Sequence, residues 1–260
     1  MNRSRLLVPI ALGLAALAGS CTDVCQCPTR AVAVEFDSLP FPAVVSGDSL
    51  RDSLGRVAPL RALALNASGG LISDAAVQYI ALDTGLTIDA SGHVTAQGRG
   101  GNVRIVASVN SLQSVARTLE ITRRPDTVFA TSARDTTLLF TIPDSALRNV
   151  TAMLGVKLVT GDSSGGVTTT GGWLVSYQVF FQGAALSPSD TTRASLWDDG
   201  TRVTSLDTTT SDGAAGRRLR VRSLLLPTKP DSFIVIATVR YRGAQLRGSP
   251  VRFVIRTQPR

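Results

Sequence analysis

The side chains able to do covalent or metal chemistry are few and poorly placed for catalysis. Cysteine occurs only at Cys21, Cys25 and Cys27, and the one histidine is His93. A structural zinc site needs about four converging N or S ligands, whereas here three thiols share one short stretch and the imidazole lies far along the chain. A Ser-His-Asp or Cys-His mechanism would have to be built at His93, and no nucleophile elbow accompanies it. His93 is therefore read as an exposed strand residue between Gly92 and Val94. The acids Asp198 and Asp199 precede Gly200, a combination that makes a tight turn. Calcium there would need several more oxygens from neighbouring loops, and glycosidase chemistry would need two carboxyls facing across a cleft. Trp197, just before them, could meet a ligand at a strand end, with a hydrophobic plug as the plainer role. Trp197, Asp198 and Asp199 are thus the candidate ligand contacts. No catalytic residue, metal or cofactor is assigned, and the chain is read as a non-enzyme.

Cysteine chemistry acquires a context at the amino terminus. Residues 1–21 read MNRSRLLVPIALGLAALAGSC: a short basic start, an apolar run from Leu6 to Leu17, then small residues. This is a secretory layout. The run is about 12 residues against the roughly 20 that a helix needs to span a bilayer, so cleavage is expected rather than a permanent span. Leu17-Ala18-Gly19-Ser20-Cys21 resembles the lipobox of bacterial lipoproteins, departing from its commonest form in having Ala18 three residues before the cysteine. That resemblance implies a thioether-linked diacylglycerol on Cys21, with a further acyl chain on its amine, and two or more chains make anchoring stable. Thr22 rather than an aspartate follows Cys21, which favours the outer over the inner membrane of a bacterial envelope. Cys25 and Cys27 could close a strained local disulfide, bridge two chains or bind a soft metal with outside help. The preferred reading is a thiol pair in the tether with no defined role.

The formal charge is +8, and loss of Arg3 and Arg5 with the leader lowers it to +6. A nucleic-acid binder gathers such charge into a patch interleaved with aromatics or onto a recognition helix. The densest stretch, Arg217, Arg218, Arg220 and Arg222, has Leu219, Val221 and Ser223 between its charges. That alternation predicts a half-buried strand with its arginines on the wet face, and no nucleic-acid partner.

The elements that must position these groups are strands. Val103, Ile105, Ala107 and Val109 alternate with Arg104, Val106 and Ser108, and Val115, Leu119 and Ile121 repeat the pattern one strand later. Turn signals separate the runs, among them Asn66-Ala-Ser-Gly-Gly70, Asp89-Ala-Ser-Gly92 and Gly98-Arg-Gly-Gly101. Trp173, Val175, Tyr177, Val179 and Phe181 occupy alternate positions and read as an inward-facing core row. Residues 144–153 could hold a helical turn, and the glycine- and hydroxyl-rich stretch 161–172 reads as a mobile loop. Thr122-Arg-Arg-Pro-Asp126 reads as a hinge, because proline ends a ladder.

Leu86-Thr-Ile-Asp-Ala-Ser-Gly-His-Val-Thr-Ala96, the glycines at 98, 100 and 101, and Val103-Arg-Ile-Val-Ala-Ser108 resemble the bacterial immunoglobulin-like group 2 domain over about residues 32–122. The family's usual earlier tryptophan is absent, with Val77 and Tyr79 in that neighbourhood. Thr208-Thr-Thr-Ser-Asp-Gly-Ala-Ala215 and Phe233-Ile-Val-Ile-Ala-Thr-Val-Arg-Tyr241 resemble the closing strands of invasin-like immunoglobulin modules over about 205–256. The expected architecture is all-β, two immunoglobulin-like β-sandwich domains after a cleaved lipoprotein signal peptide. Its divisions are a signal peptide at 1–20, a tether at 21–31, a first sandwich at 32–122, a hinge at 123–134 and a second sandwich at 135–260. The expected function is a membrane-anchored cell-envelope lipoprotein whose modules bind, adhere or space, with a protein or glycan ligand at the surface. The alternatives are an accessory subunit docking to another envelope protein through a sheet edge and, more remotely, a hydrolase with an acidic site.

Overall fold

A computed structural model describes residues 30–98, 100–141, 149–161, 165–188, 190, 192–222 and 231–260. The expected signal peptide, Cys21, Cys25 and Cys27 lie outside the described residues, as does 144–148 of the stretch 144–153 expected to turn helically. The protein is all-β. The strands before residue 123 are β1 (Ala33–Ser38), β2 (Ala43–Val45), β3 (Arg61–Leu65), β4 (Gln78–Ala81), β5 (Leu86–Ile88), β6 (Val94–Ala96), β7 (Gly101–Val109), β8 (Leu112–Gln113) and β9 (Arg117–Thr122). After it come β10 (Thr127–Ala130), β11 (Asp135–Phe140), β12 (Leu154–Gly161), β13 (Val167–Thr169), β14 (Leu174–Phe181), β15 (Ala184–Ala185), β16 (Ala194–Trp197) and β17 (Leu206–Thr208). The chain closes with β18 (Ala214–Val221), β19 (Asp231–Thr238), β20 (Arg240–Tyr241), β21 (Ala244–Gln245) and β22 (Val251–Pro259).

Among the described residues every ladder joins strands within β1–β9 or within β10–β22. The same plan appears in both sets. β1 runs antiparallel to β3 while β2 runs parallel to β9; β10 runs antiparallel to β12 while β11 runs parallel to β22. One amino-terminal strand is thus broken so that its halves serve opposite sheets. In the first set Pro40 and Pro42 supply the break, since neither can donate to a ladder. The second set completes two sheets, β10-β12-β18-β16 against β11-β22-β19-β14, with β15 and β17 flanking β14. This is the immunoglobulin order, four strands facing a sheet built on the last, second-last and third strands.

Alternation explains which side chains meet between the sheets. Val103, Ile105 and Ala107 turn inward with Leu119 and Ile121, and all five are buried. Val115 does not join them: it precedes β9 and is 83% exposed. Trp173 through Phe181 form the expected buried row, with the Phe181 and Phe233 rings stacked at 4.7 Å. Three regions depart from the sequence reading. Thr127–Ala130, inside the expected hinge, are β10 paired with β12. Within the stretch 161–172, expected to be a mobile loop, Val167–Thr169 pair with β12 as β13, and the Thr160 and Thr170 hydroxyls meet at 2.8 Å in the interior. The arginines of β18 are not all wet, because Arg217 shares the inward side with Ala215, Leu219 and Val221 and is buried. Arg220 faces outward yet is only 2% exposed, its guanidinium 5.1 Å from the Trp197 ring. Arg218 alone of the β18 arginines is exposed.

Candidate functional site

Trp197, Asp198 and Asp199 close β16 and open the turn that follows it. Asp198 Oδ1 accepts hydrogen bonds from the backbone N–H of Gly200 (2.9 Å) and of Arg202 (2.8 Å), so the carboxylate holds its own turn. Asp199 reaches Arg218 at 3.3 Å on the surface, a contact of little energetic weight at such exposure. Trp197 is half-buried against Arg220, which makes it the plug rather than a free platform. The two acids border an open recess of about 490 Å³ shared with Asp207 and Arg217, and the Trp197 ring is not part of its lining. His93 sits one residue before β6; its backbone N–H donates to Asp89 Oδ1, and its Nδ1 lies 3.4 Å from the other oxygen, in an exposed turn.

A more elaborate arrangement lies where the two strand sets meet. On the first set, the segment between β2 and β3 carries Asp48, Arg51 and Gly55. On the second, the β20–β21 hairpin turns through Arg242 (φ 50°) and Gly243 (φ 81°), the doubly positive geometry of a two-residue hairpin. This tight turn thrusts Tyr241 and Arg242 onto the first set. The Tyr241 hydroxyl donates to Asp48 Oδ2 at 2.9 Å, Arg242 Nε donates to the same oxygen at 3.0 Å, and Arg242 Nη2 lies 3.0 Å from Oδ1. Arg51 donates to both oxygens from its own side, at 3.2 Å and 3.1 Å. The Ser49 N–H is the fourth donor residue, at 2.8 Å. Asp48 is buried. Burial by itself would raise its pKa, but the bonds from Arg242, Arg51, the Ser49 N–H and Tyr241 together hold the carboxyl well below the usual carboxylate range.

Apolar packing continues the seam. Phe41 of the β1–β2 crossover meets Trp173 with ring centroids 4.8 Å apart, and Trp173 lies 6.0 Å from Tyr241. The Trp173 indole N–H donates to the Arg240 carbonyl at 3.1 Å, which satisfies the one polar atom that burial would strand. Arg124 and Arg242 both lie over the Tyr241 ring, at 5.3 Å and 5.4 Å. Gly55 permits the closest approach: a β-carbon there would sit 2.0 Å from the Gly243 nitrogen. Its φ of +85° is likewise a glycine conformation.

Trp173, Tyr241 and Arg124 stood out in the sequence only as core, strand and hinge residues, and the other seam residues not at all. Asp48 lies in an ordinary Ser-Gly-Asp-Ser turn, and its partners Tyr241 and Arg242 are 193 and 194 positions away. The one local signal was the Arg242-Gly243 pair between short β runs, which marks a hairpin but not what its tip touches.

No protein-family model matches the chain, and no curated protein matches it. Among solved structures, the adhesin InvE of Yersinia pseudotuberculosis aligns at 12% identity and a TM-score of 0.32, over 86% of this chain and 58% of that one. Domains 1–6 of the surface layer protein SbsC align at 10% identity and 0.32, over 89% and 29%. The D0–D1 domain of intimin aligns at 14% identity and 0.26, over 86% and 98%. The chain therefore spans less than two thirds of the InvE and SbsC chains, and its immunoglobulin-like assignment rests on the strand order and the twice-used split strand.

Proposed function

We propose that this chain is an envelope-anchored stalk, whose two immunoglobulin-like sandwiches are clamped into one stiff unit that spaces or presents a surface for binding a protein or glycan. The observation that supports stiffness is the Asp48 clamp, in which one buried carboxylate is held by a cation from its own strand set and by Tyr241 and Arg242 from the other. The connection is consistent with that role. Residues 123–126 span at most about 14 Å, and Arg124 is already committed to the seam through Tyr241. A chain built for free swivelling would carry a long glycine- or serine-rich linker instead.

In this reading the lipid on Cys21 supplies the anchor. Arg30 lies nine positions after Cys21, a tether of roughly 30 Å at full extension, so the first strand set stays close to its membrane. Cells expressing Cys21→Ala are expected to incorporate no labelled fatty acid into the protein; incorporation equal to wild type would refute the anchor. Stiffness has its own test, a spin-label distance distribution between Thr87→Cys and Arg252→Cys with the native cysteines replaced by serine. At pH 4 the wild-type distribution is expected to be narrow and the Arg242→Ala distribution at least about twice as wide. Equal widths would mean that the clamp does not set the angle.

A further inference from the structure

Glu120 is the second acid of the seam, and its surroundings are the reverse of those of Asp48. It lies on β9 with its side chain turned out of its own sandwich, half-buried against the Gly171–Gly172 backbone of the second set. The contact leaves no room: a β-carbon on Gly172 would fall 2.3 Å from Glu120 Oε2, and one on Gly171 would fall 2.9 Å from Oε1. Gly172 also has φ +68°, so the backbone requires glycine beside the carboxylate. Trp173 follows directly, which sets Glu120 next to the Phe41–Trp173 contact.

No hydrogen-bond donor or cation among the described residues reaches the Glu120 carboxylate. Its neighbours are the 39–42 crossover, whose Pro42 carbonyl accepts the Glu120 N–H at 3.1 Å, Asn102 opposite it on β7, the 170–172 segment and the 209–213 turn. The charged groups on these elements and on the connection that follows are Arg104, Arg123, Arg124 and Asp212, and each is engaged elsewhere, Arg104 with Asp83. Arg123 donates to Thr168, Arg124 pairs with Asp126 and lies over Tyr241, and Asp212 accepts from Thr210.

We propose that Glu120 is a proton-operated latch on the stalk, closing the seam when its carboxyl is neutral and slackening it when ionised. A charged carboxylate pressed on glycine backbone loses water and gains no partner, which opposes closure. A neutral carboxyl removes that opposition and can donate its O–H to the Thr210 carbonyl that borders the same glycine. Burial accordingly raises the Glu120 pKa above its ordinary value of 4.5. The sign follows from linkage: a raised value in the closed state means that the contribution is complete below 4.5 and is lost as pH rises through the closed-state value. Asp48 behaves oppositely and stays ionised throughout that window, so the seam is tightest in mild acid.

The inference rests on the stalk reading, and the same spin-label pair separates the two. At pH 4 the wild-type distribution should be narrow, and at pH 8 about twofold wider. Glu120→Gln, an uncharged isostere, should stay at the narrow width at both pH values, and His93→Asn should respond as wild type does. A wild-type width that is narrow and unchanged between pH 4 and 8 would overturn the latch while leaving the stalk intact. So would Glu120→Gln broadening as wild type does, or His93→Asn abolishing the response. Wild type as broad as Arg242→Ala at both pH values would overturn the stalk and the latch together.

Discussion

Replacing Arg217 with alanine should destabilise the second strand set by about 3 to 5 kcal/mol, the cost of removing one partner from a buried ion pair. The side chain is 8% exposed and lies 2.9 Å from Asp207 Oδ2, itself on β17, which pairs with the opposite sheet through β14. Arg217 also donates to the Gly216 and Leu206 carbonyls, and Asp207 accepts the Gly216 N–H at 2.7 Å. The pair therefore stitches β17 to β18 where β16 has left the sheet. Alanine would take the cation from Asp207 and a donor from each of two carbonyls at once, so the loss exceeds that of a single hydrogen bond. Lysine would keep the charge but not the planar fork, and about half the loss should remain. Urea denaturation read by tryptophan fluorescence measures both, since Trp173 and Trp197 lie in this set. A loss below about 1 kcal/mol for Arg217→Ala would show that the pair is as solvent-screened as a surface bridge. Asp207→Asn with Arg217→Met should recover part of the loss, because an apolar replacement leaves fewer groups unpaired.

Arg217 also shows where local pattern stops being informative. In Arg217-Arg218-Leu219-Arg220-Val221-Arg222 the apolar positions fix one parity, and Arg217 falls on the apolar side. Charge alone suggested solvent; the strand's two-residue period required the interior. The alternation of β7 and β14 was legible because each inward residue was also apolar, so charge and parity agreed. The turns at 89–92 and 66–70 were legible because asparagine, aspartate and glycine dictate backbone geometry within four residues. Both breaks in the amino-terminal strands were harder to see. β2 and β10 are three and four residues long, and a short strand acquires its identity from the partner it finds. The seam is the extreme case. Asp48, Phe41 and Glu120 meet Tyr241, Trp173 and Gly172 only after both sets have folded, and no spacing within either half encodes the meeting. Trp197, Asp198 and Asp199 drew notice for their residue types; Trp197 packs on Arg220, Asp198 holds its own turn and Asp199 meets Arg218 at the surface.

Asp48→Ala should have the largest effect at the seam, about 2 kcal/mol at pH 7. That figure is set below the range for a fully buried pair because Arg242 is 54% exposed and Arg51 is 25% exposed, so both can recover water when the carboxylate goes. The pH dependence identifies the cause. Asp48 titrates lower in the folded protein than in the unfolded chain, so its contribution is complete above the unfolded value of about 3.9 and is lost as pH falls through the folded one. Urea midpoints for wild type and Asp48→Ala should therefore differ by a constant amount from pH 7 to about pH 4.5, and converge progressively in more acidic solution. Comparing the two proteins at each pH cancels the titration of the other carboxylates. A gap that persisted undiminished to pH 2.5 would mean that Asp48 acts through shape rather than charge. The Tyr241 and Arg242 contacts would then be consequences of a closed seam and not its cause. Convergence would instead tie the angle between the two sandwiches to one ionised side chain, placed on a turn whose only distinction in the sequence is that it could fold tightly enough to receive the opposing hairpin.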